Sequence, residues 1–368
     1  MIVAGDTMRV NRWPCEYRIY CDTADRWLRS DAECGKQYVA IEWVRTQAML
    51  LNRRTMIGAL ASLPIASRAT AGRGADPLLF AYFGTGKGEA SGLKLAISDD
   101  GYAFRALGGG QSYLPPMVGE SKLMRDPFVF RGVGRDASWH MVWTTAWEGV
   151  TIGHATSRDL RHWSPQRALP VMASVKGTRN CWAPEAIWDA RAKRFAIFWS
   201  STVAGRFEAT AGTSESGYNH RLWYVTTRDF LSFSDPAVLY DPGFSVIDGT
   251  FATGAAGQLH LIVKDETLTP PRKWLQVAPA QSPTGPFGKL GTPFTPSWVE
   301  GPMTTMIGGE TVCYWDVYRD GRWGAAATRD FVHWRDVGAK LSMPEGARHG
   351  SLMRIPRATA DALAQGPA

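Results

Sequence analysis

Five polar residues in this chain stand where acids and bases could do chemistry. They are Asp126 in Met124-Arg125-Asp126-Pro127-Phe128, Glu185 in Trp182-Ala183-Pro184-Glu185-Ala186, Asp248 in Val246-Ile247-Asp248-Gly249-Thr250, Glu300 in Trp298-Val299-Glu300-Gly301-Pro302, and His349 in Arg348-His349-Gly350. Each lies in a short, mostly apolar or proline-marked segment. An ionisable residue in such a segment costs free energy unless it is paired or used, so a set of them suggests a site. Four of the five are carboxylic acids, which can serve as general acids and bases.

The elements that must position them follow from a repeated phrase. Thr156-Ser157-Arg158-Asp159-Leu160-Arg161-His162-Trp163 recurs as Thr226-Thr227-Arg228-Asp229-Phe230-Leu231-Ser232-Phe233 and as Thr328-Arg329-Asp330-Phe331-Val332-His333-Trp334. Degenerate copies are Ser98-Asp99-Asp100-Gly101-Tyr102-Ala103-Phe104 and Ser282-Pro283-Thr284-Gly285-Pro286-Phe287. The closing aromatics are 59, 70, 54 and 47 residues apart, and a polar candidate follows each by 13 to 22 residues. Units of this length built from short strands mark a propeller. Its innermost strands line a central channel, so one polar residue at one phase of each unit would converge at one end of the axis. The expected fold is all-β, a five-bladed β-propeller with a central active-site pocket.

Strand patterning agrees. Leu93 to Ser98 alternates apolar and polar residues with period two, as a half-buried strand does, and Asp100-Gly101 and Asp320-Gly321 are hairpin signals. The strand after His349 is expected to return to residues 77–83 and close the ring. Sixteen Trp, 38 Gly and 22 Pro suit many strands joined by tight turns rather than helices. The net charge of +7 comes with no basic run in the repeat region, so nucleic acid is not an expected partner. Residues 357–368 are Ala-rich and read as a frayed tail or a short helix.

The first 71 residues read differently. Arg53-Arg54, the short apolar run from Thr55 to Ala66, and Ala69-Thr70-Ala71 have the form of an export signal, which places 49–71 as a twin-arginine-like leader. The run is too short to span a bilayer, so no membrane partner is expected, and the location is periplasmic or secreted. Residues 1–48, with Cys15, Cys21 and Cys34 and no repeat phrase, read as an unrelated extension or a start-site artefact, with Met49 as the start. Downstream only Cys181 and Cys313 remain, in no metal-binding spacing, and a single disulfide between them is open. The catalytic domain is then 72–356, and a monomer is expected.

The ordered set Arg125-Asp126-Pro127, Trp182-Ala183-Pro184-Glu185, Ile247-Asp248-Gly249, Val299-Glu300-Gly301-Pro302, Asp316-Val317-Tyr318 and Arg348-His349-Gly350 resembles glycoside hydrolase family 43. These are five-bladed propeller enzymes that cleave arabinofuranosyl, xylosyl and related residues. The resemblance covers roughly residues 77 to 356. It implies that Asp126 is the general base, that Asp248 tunes the acid and orients the sugar, and that Glu300 is the general acid. Inverting hydrolysis needs one protonated carboxyl at the leaving oxygen and one carboxylate holding a water on the other face, about 6.5–9.5 Å away. A third carboxylate nearby raises the acid's pKa. The resemblance also raises a central calcium near His349 or its water shell. No oxygen ligand set is evident, and no cofactor requirement is expected.

The substrate is expected to be a carbohydrate. Glu185 is a candidate contact to it, and Trp147, Trp182, Trp223 and Trp298 are candidate sugar platforms, each otherwise a core aromatic. Lys264 and Arg348 could bond sugar hydroxyls or serve as ion-pair partners, and His349 could be purely structural. Each acid alone also has a plain use: Asp126 as a turn residue, Asp248-Gly249 as a turn, Glu300 before Gly-Pro at a bulge. Arg-Asp-Pro departs from the family's commoner Ala-Asp-Pro and also marks the related fructan-cleaving propellers, but their earlier Asn-Asp-Pro-Asn-Gly motif is absent from residues 72–125. Two alternatives follow: a non-catalytic carbohydrate-binding propeller, since fold does not fix activity, and a retaining fructosidase-like enzyme. Specificity is assigned to the loops 108–120, 205–220 and 265–273.

Overall fold

The computed structural model describes residues 76–84, 92–134 and 136–368, together with the backbone of two short paired strands, β1 (Ile19–Cys21) and β2 (Leu28–Ser30). The chain divides into two units, Met1–Thr70 and Ala71–Ala368. The leader expected at 49–71 and most of the extension at 1–48 lie outside the described residues.

The second unit is a ring of five antiparallel sheets. Blade II is β6 (Arg125–Arg131), β7 (Trp139–Thr144), β8 (Ile152–Ser157) and β9 (Arg167–Leu169). Blade III is β10 (Trp182–Asp189), β11 (Arg194–Ser201), β12 (Arg221–Thr227) and β13 (Ala237–Tyr240). Blade IV has three strands, β14 (Val246–Thr253), β15 (Leu259–Asp265) and β16 (Leu275–Ala280). Blade V is β17 (Glu300–Ile307), β18 (Glu310–Val317), β19 (Arg322–Thr328) and β20 (Arg335–Asp336). Blade I joins the two ends of the unit. Its inner strand is the last of the chain, β21 (Ala347–Arg354), which pairs antiparallel with β3 (Leu78–Gly84), followed by β4 (Lys94–Ser98) and β5 (Arg105–Ala106). The closing strand therefore begins two residues before His349 rather than after it. The inner strands β21, β6, β10, β14 and β17 pack side by side around the axis.

The apolar core is not at the axis. It lies in five layers between neighbouring blades, such as Leu79, Leu95, Val129, Met141 and Trp143 between blades I and II, or Phe198, Leu222, Leu261 and Val263 between III and IV. Such layers leave the channel free for polar side chains.

The repeated phrase is a turn that caps its own backbone. The Oγ of Ser98, Ser157, Thr227 and Thr328 accepts from the N–H three residues on. The carboxylates of Asp100, Asp159, Asp229 and Asp330 accept from the N–H groups two and three residues on. The bend puts Gly101, Leu160, Phe230 and Phe331 at positive φ. Side-chain acceptors on Ser, Thr and Asp build such turns locally, which is why the phrase was visible as residue types.

Two points that the sequence left open, the pairing of the cysteines and the choice between frayed tail and short helix, are decided by the fold. Cys181 and Cys313 are free thiols buried in different layers, II–III and IV–V, so the disulfide left open by the sequence does not form. The carboxy-terminal segment is not frayed. Helix α1 (Arg357–Leu363) buries Ala360 and Leu363 in the layer between blades I and II, the Tyr113 hydroxyl donates to the Leu363 carbonyl at 2.7 Å, and Arg161 Nε donates to that of Gly366 at 2.9 Å. Among the described residues no helix is long and apolar enough to cross a membrane.

Candidate active site

Every inner strand carries a register break at the same end of the ring. The breaks fall between Arg125 and Phe128, Trp182 and Glu185, Ile247 and Thr250, Glu300 and Met303, and Arg348 and Gly350. In four of them the residue after the last regular pair has positive φ: Asp126 at 53°, Ala183 at 47°, Asp248 at 51° and Gly301 at 58°. Bulges re-aim side chains and are common beside active sites. A non-glycine residue at positive φ costs backbone strain that the surrounding fold must support. The bulge reading and the site reading of these segments are therefore both true, because the bulge delivers the acid to the channel.

The bulges also correct the expected phase. Asp126, Asp248 and His349 are equivalent. Glu300 sits one residue earlier, paired opposite Asp316, and Glu185 sits two residues later than its blade's equivalent position, opposite Phe198. Glu185 therefore lines the channel beside Asp248, with Thr250 as a hydrogen-bond partner, rather than joining the acids at the mouth. Burial, with the Asp248 charge, pushes its carboxyl well above the ordinary range.

His349 is the hub. Its Nε2 lies 2.9 Å from Asp126 Oδ1, an ion-pair contact rather than an aligned hydrogen bond. A Glu300 oxygen, an Asp316 oxygen and a ring nitrogen of His349 lie within 4.8 Å of one another. The ring packs edge-on to Phe83, centroids 5.9 Å apart. Burial would discharge this imidazole, but Asp126, then Asp248 and Glu300, push it up to about 9. Asp126 shows the reciprocal effect. Burial would raise its carboxyl, yet His349, Arg125 and the Thr144 hydroxyl hold it at about 2. Thr144 Oγ1 donates to Asp126 Oδ2 at 2.7 Å and accepts from the Ala183 N–H at 2.8 Å, tying blade II to the next bulge.

Asp248 accepts from the Gly301 N–H at 3.0 Å, and its own N–H donates to Ser200 Oγ at 3.2 Å. Burial pushes its carboxyl up to about 6, against the pull of His349 and Lys264. Glu300 goes the other way. Burial opposes its charge, but Lys264 Nζ at 3.2 Å and Arg348 Nη2 at 2.6 Å, with His349, hold it below its ordinary value. The expectation that a third carboxylate raises Glu300 does not hold here: the cations around it outweigh that carboxylate, and of Asp126, Asp248 and Glu300 only Asp248 is raised. Arg348 Nε also bonds Asp316.

Gly301 is where only glycine fits. A Cβ there would lie 2.0 Å from His349 Cγ, on a residue with φ of 58°. Gly301→Ala is expected to displace the imidazole, to destabilise the fold by about 1–3 kcal/mol in thermal unfolding, and to lose activity in step with the misplaced His349.

The remaining candidates divide. Lys264 is fully buried and is the ion-pair partner of Glu300, not a surface charge, and Arg348 likewise turns toward Glu300. Trp182 is half-buried at the mouth, its Nε1 donating to the Trp147 carbonyl at 2.9 Å, beside the rings of Trp147, Tyr218 and His220. Trp147 is exposed at the rim with Arg125 stacked on it. Trp223 is not a platform, since it lies in the layer between blades II and III. Trp298 already holds Arg319, whose guanidinium carbon is 3.0 Å from the ring centroid, so one face is taken.

Direct coordination of calcium, which takes six to eight oxygens, would compete with Arg348 for the Glu300 and Asp316 carboxylates and with Asp126 for the His349 ring.

Asp316, Thr144 and the buried pair Glu266 and Lys273 were not singled out in the sequence. Asp316 stood inside a recognised motif. Lys264 lies near the end of β15 and Glu266 one residue beyond it, a spacing of two that could have been read as a pair. Thr144 gave no signal.

A family model described as "Probable glycosyl hydrolase domain", of the glycosyl hydrolase 43-related type, matches residues 76–361. An alpha-L-arabinofuranosidase of Bifidobacterium longum subsp. longum is 26% identical over 182 residues, which is 44% of this chain and only 17% of that protein. Among solved structures, a thermostable family-43 glycoside hydrolase aligns with a TM-score of 0.48 at 16% identity, over 61% of this chain and 78% of that one. The alpha-L-arabinofuranosidase from Lactobacillus brevis aligns with a TM-score of 0.46 at 14% identity, over 58% and 72%.

Proposed function

This chain belongs to the glycosyl hydrolase 43-related family, and from that premise we propose that it hydrolyses arabinofuranosyl, galactofuranosyl or xylosyl linkages of poly- or oligosaccharides with inversion. The observation that carries the reading is the meeting of Asp126, Asp248 and Glu300, from three blades, around one buried imidazole. Asp126 Oδ1 is 2.9 Å from His349 Nε2, and a Glu300 oxygen is within 4.8 Å of a ring nitrogen of the same residue. The base and the acid thus face the same imidazole, and inversion requires their carboxyls to stand about 6.5–9.5 Å apart with a water between.

In this mechanism Asp126, kept ionised by His349, takes a proton from a water as the water oxygen attacks the anomeric carbon. The bond to the leaving oxygen breaks, and that oxygen receives the proton of the acid. Glu300 must gain that proton first. Sugar hydroxyls that take up the hydrogen bonds of Lys264 and Arg348 draw these cations away from Glu300 and weaken their hold on its carboxylate, so protonation of the acid is favoured with substrate in place. Trp182 supplies a face for the sugar ring, and Asp248 fixes the Gly301 backbone and adds the negative charge that favours protonation of Glu300. The enzyme acts outside the cytoplasm as a monomer and needs no metal.

A second reading rests on one observation: of the three acids that meet at His349, Asp248 is the one whose carboxyl is raised. In it Asp248 donates the proton, and Glu300 serves to orient Lys264 and Arg348 toward the sugar.

The test is a panel of nitrophenyl furanosides and pyranosides, with the first-formed anomer followed by NMR. Inversion on an arabinofuranoside, galactofuranoside or xyloside is expected. A retained anomer would move the enzyme to the fructosidase-like alternative. No cleavage of any member, with measurable sugar binding, would leave a binding propeller.

A further inference from the structure

Seven charged side chains alternate in sign from the surface to the site. Glu215 is 3.4 Å from Lys273 Nζ, Lys273 Nζ is 2.5 Å from Glu266 Oε1, Glu266 Oε2 is 3.0 Å from Lys264 Nζ, and Lys264 Nζ is 3.2 Å from Glu300 Oε2. Arg348 then bridges Glu300 to Asp316. Lys273 and Lys264 have 0% and 2% of their side chains exposed and Glu266 10%, so solvent and salt do little to screen them. Burying two lysines is costly unless each is paired. One ammonium would have sufficed to neutralise Glu300, yet the series of charges continues three residues past it, through Glu266 and Lys273 to Glu215.

The order of contacts gives the extension a purpose. Lys264 is shared between two carboxylates at nearly equal distance, and Glu266 is itself shared between two ammonium groups. We propose that Glu266 and Lys273, which do not touch the reacting groups, are positioning residues: they set how much of the Lys264 charge acts on Glu300, and so the pH at which Glu300 can carry its proton. The inference rests on Glu300 as the acid of the proposed reaction.

The other groups facing Glu300 are held in place by separate elements. They are Arg348 and His349 of β21, Asp316 of β18, Asp248 of β14 and Arg125 of β6. Tyr318 and His220 face Lys264, the ring of Tyr318 at 4.8 Å from Nζ. Arg348 and Asp316 pair with one another and with Glu300, and His349 pairs with Asp126, so the relay is not what holds them. His220 does feel the Lys273 charge and Tyr318 that of Glu266, and neither touches Glu300 through an ion pair. The far end of the relay lies between the loops 205–220 and 265–273. They are joined by the Leu268 N–H donating to the Thr213 carbonyl at 2.7 Å, so the two loops assigned to specificity also support the acid.

The sign of each change follows. In Glu266→Gln, Lys264 turns wholly to Glu300, stabilises the carboxylate, and moves the basic limb of the kcat/KM–pH profile down. In Lys273→Met, Glu266 is no longer shared, draws Lys264 away, and moves the same limb up. Each shift is expected to be about one pH unit, since an opposite charge at such range moves a carboxyl by about 1–3 units. The double variant is expected near the parent. Opposite displacements are what a merely structural role would not produce.

The experiment measures pH profiles of the three variants on the aryl glycoside cleaved in the panel, with thermal unfolding as a fold check and Glu300→Gln alongside. Opposite shifts that cancel in the double variant establish the relay. Unmoved limbs, or shifts in one direction, overturn it if Glu300→Gln has lost turnover of poor leaving groups, because the acid assignment then stands. If Glu300→Gln keeps that turnover, the acid assignment falls and the relay with it. Should Lys273→Met fail to fold, the Glu266→Gln shift and its reversal in the double variant decide.

Discussion

An Asp126→Asn enzyme is expected to turn over its substrates about 10²- to 10⁴-fold more slowly than the parent, whatever the leaving group. The amide is close in shape to the carboxylate and can still accept from the Thr144 hydroxyl at the 2.7 Å contact. What it loses is the ability to take the proton of the attacking water. It also removes the anion that does most to keep His349 charged. Because the defect lies in activating the nucleophile, dinitrophenyl and alkyl glycosides should suffer alike in steady-state kcat. A variant that keeps half the parent rate on both would exclude Asp126 as the base.

For Glu300→Gln the expected pattern is a split. On oligosaccharides or alkyl glycosides, turnover should fall by about 10²- to 10⁴-fold. On a dinitrophenyl glycoside, whose leaving group needs no proton, it should stay within about tenfold of the parent. The same pair of substrates separates the two assignments of the acid. If Asp248→Asn shows the split and Glu300→Gln is equally slow on both, then the raised carboxyl at Asp248 is the donor. Glu300→Gln is also expected to free Lys264 and Arg348 from their contacts at 3.2 and 2.6 Å. KM for the sugar is then the quantity to watch beside kcat.

The ring and its blade count were legible because the turn between the third strand and the next segment is built by side chains on its own backbone. Ser157 and Asp159, or Thr328 and Asp330, fold that bend without help from elsewhere, so residue types alone betray it. The acids were legible because charge in an apolar strand has few bland explanations. Their relative phase was not, since each bulge inserts residues that period-two counting does not anticipate, and Glu185 slid down the channel as a result. Nor was the charge state of Glu300, which is decided by Lys264 and Arg348, 36 and 48 residues away in sequence. Trp223 and Trp182 look alike as letters. Only the packing of blade III puts one in a core layer and the other at the mouth.

Because β21 pairs with β3 and also carries His349 and Arg348, a single strand both locks the circle and completes the chemistry. A nascent chain halted before residue 347 would hold four finished blades and all three acids, but Asp126 and Glu300 would lack their cationic neighbours from that strand. Hydrolytic power then emerges only once this strand is in place, and a chain cut before it should be as silent as one that lacks an acid.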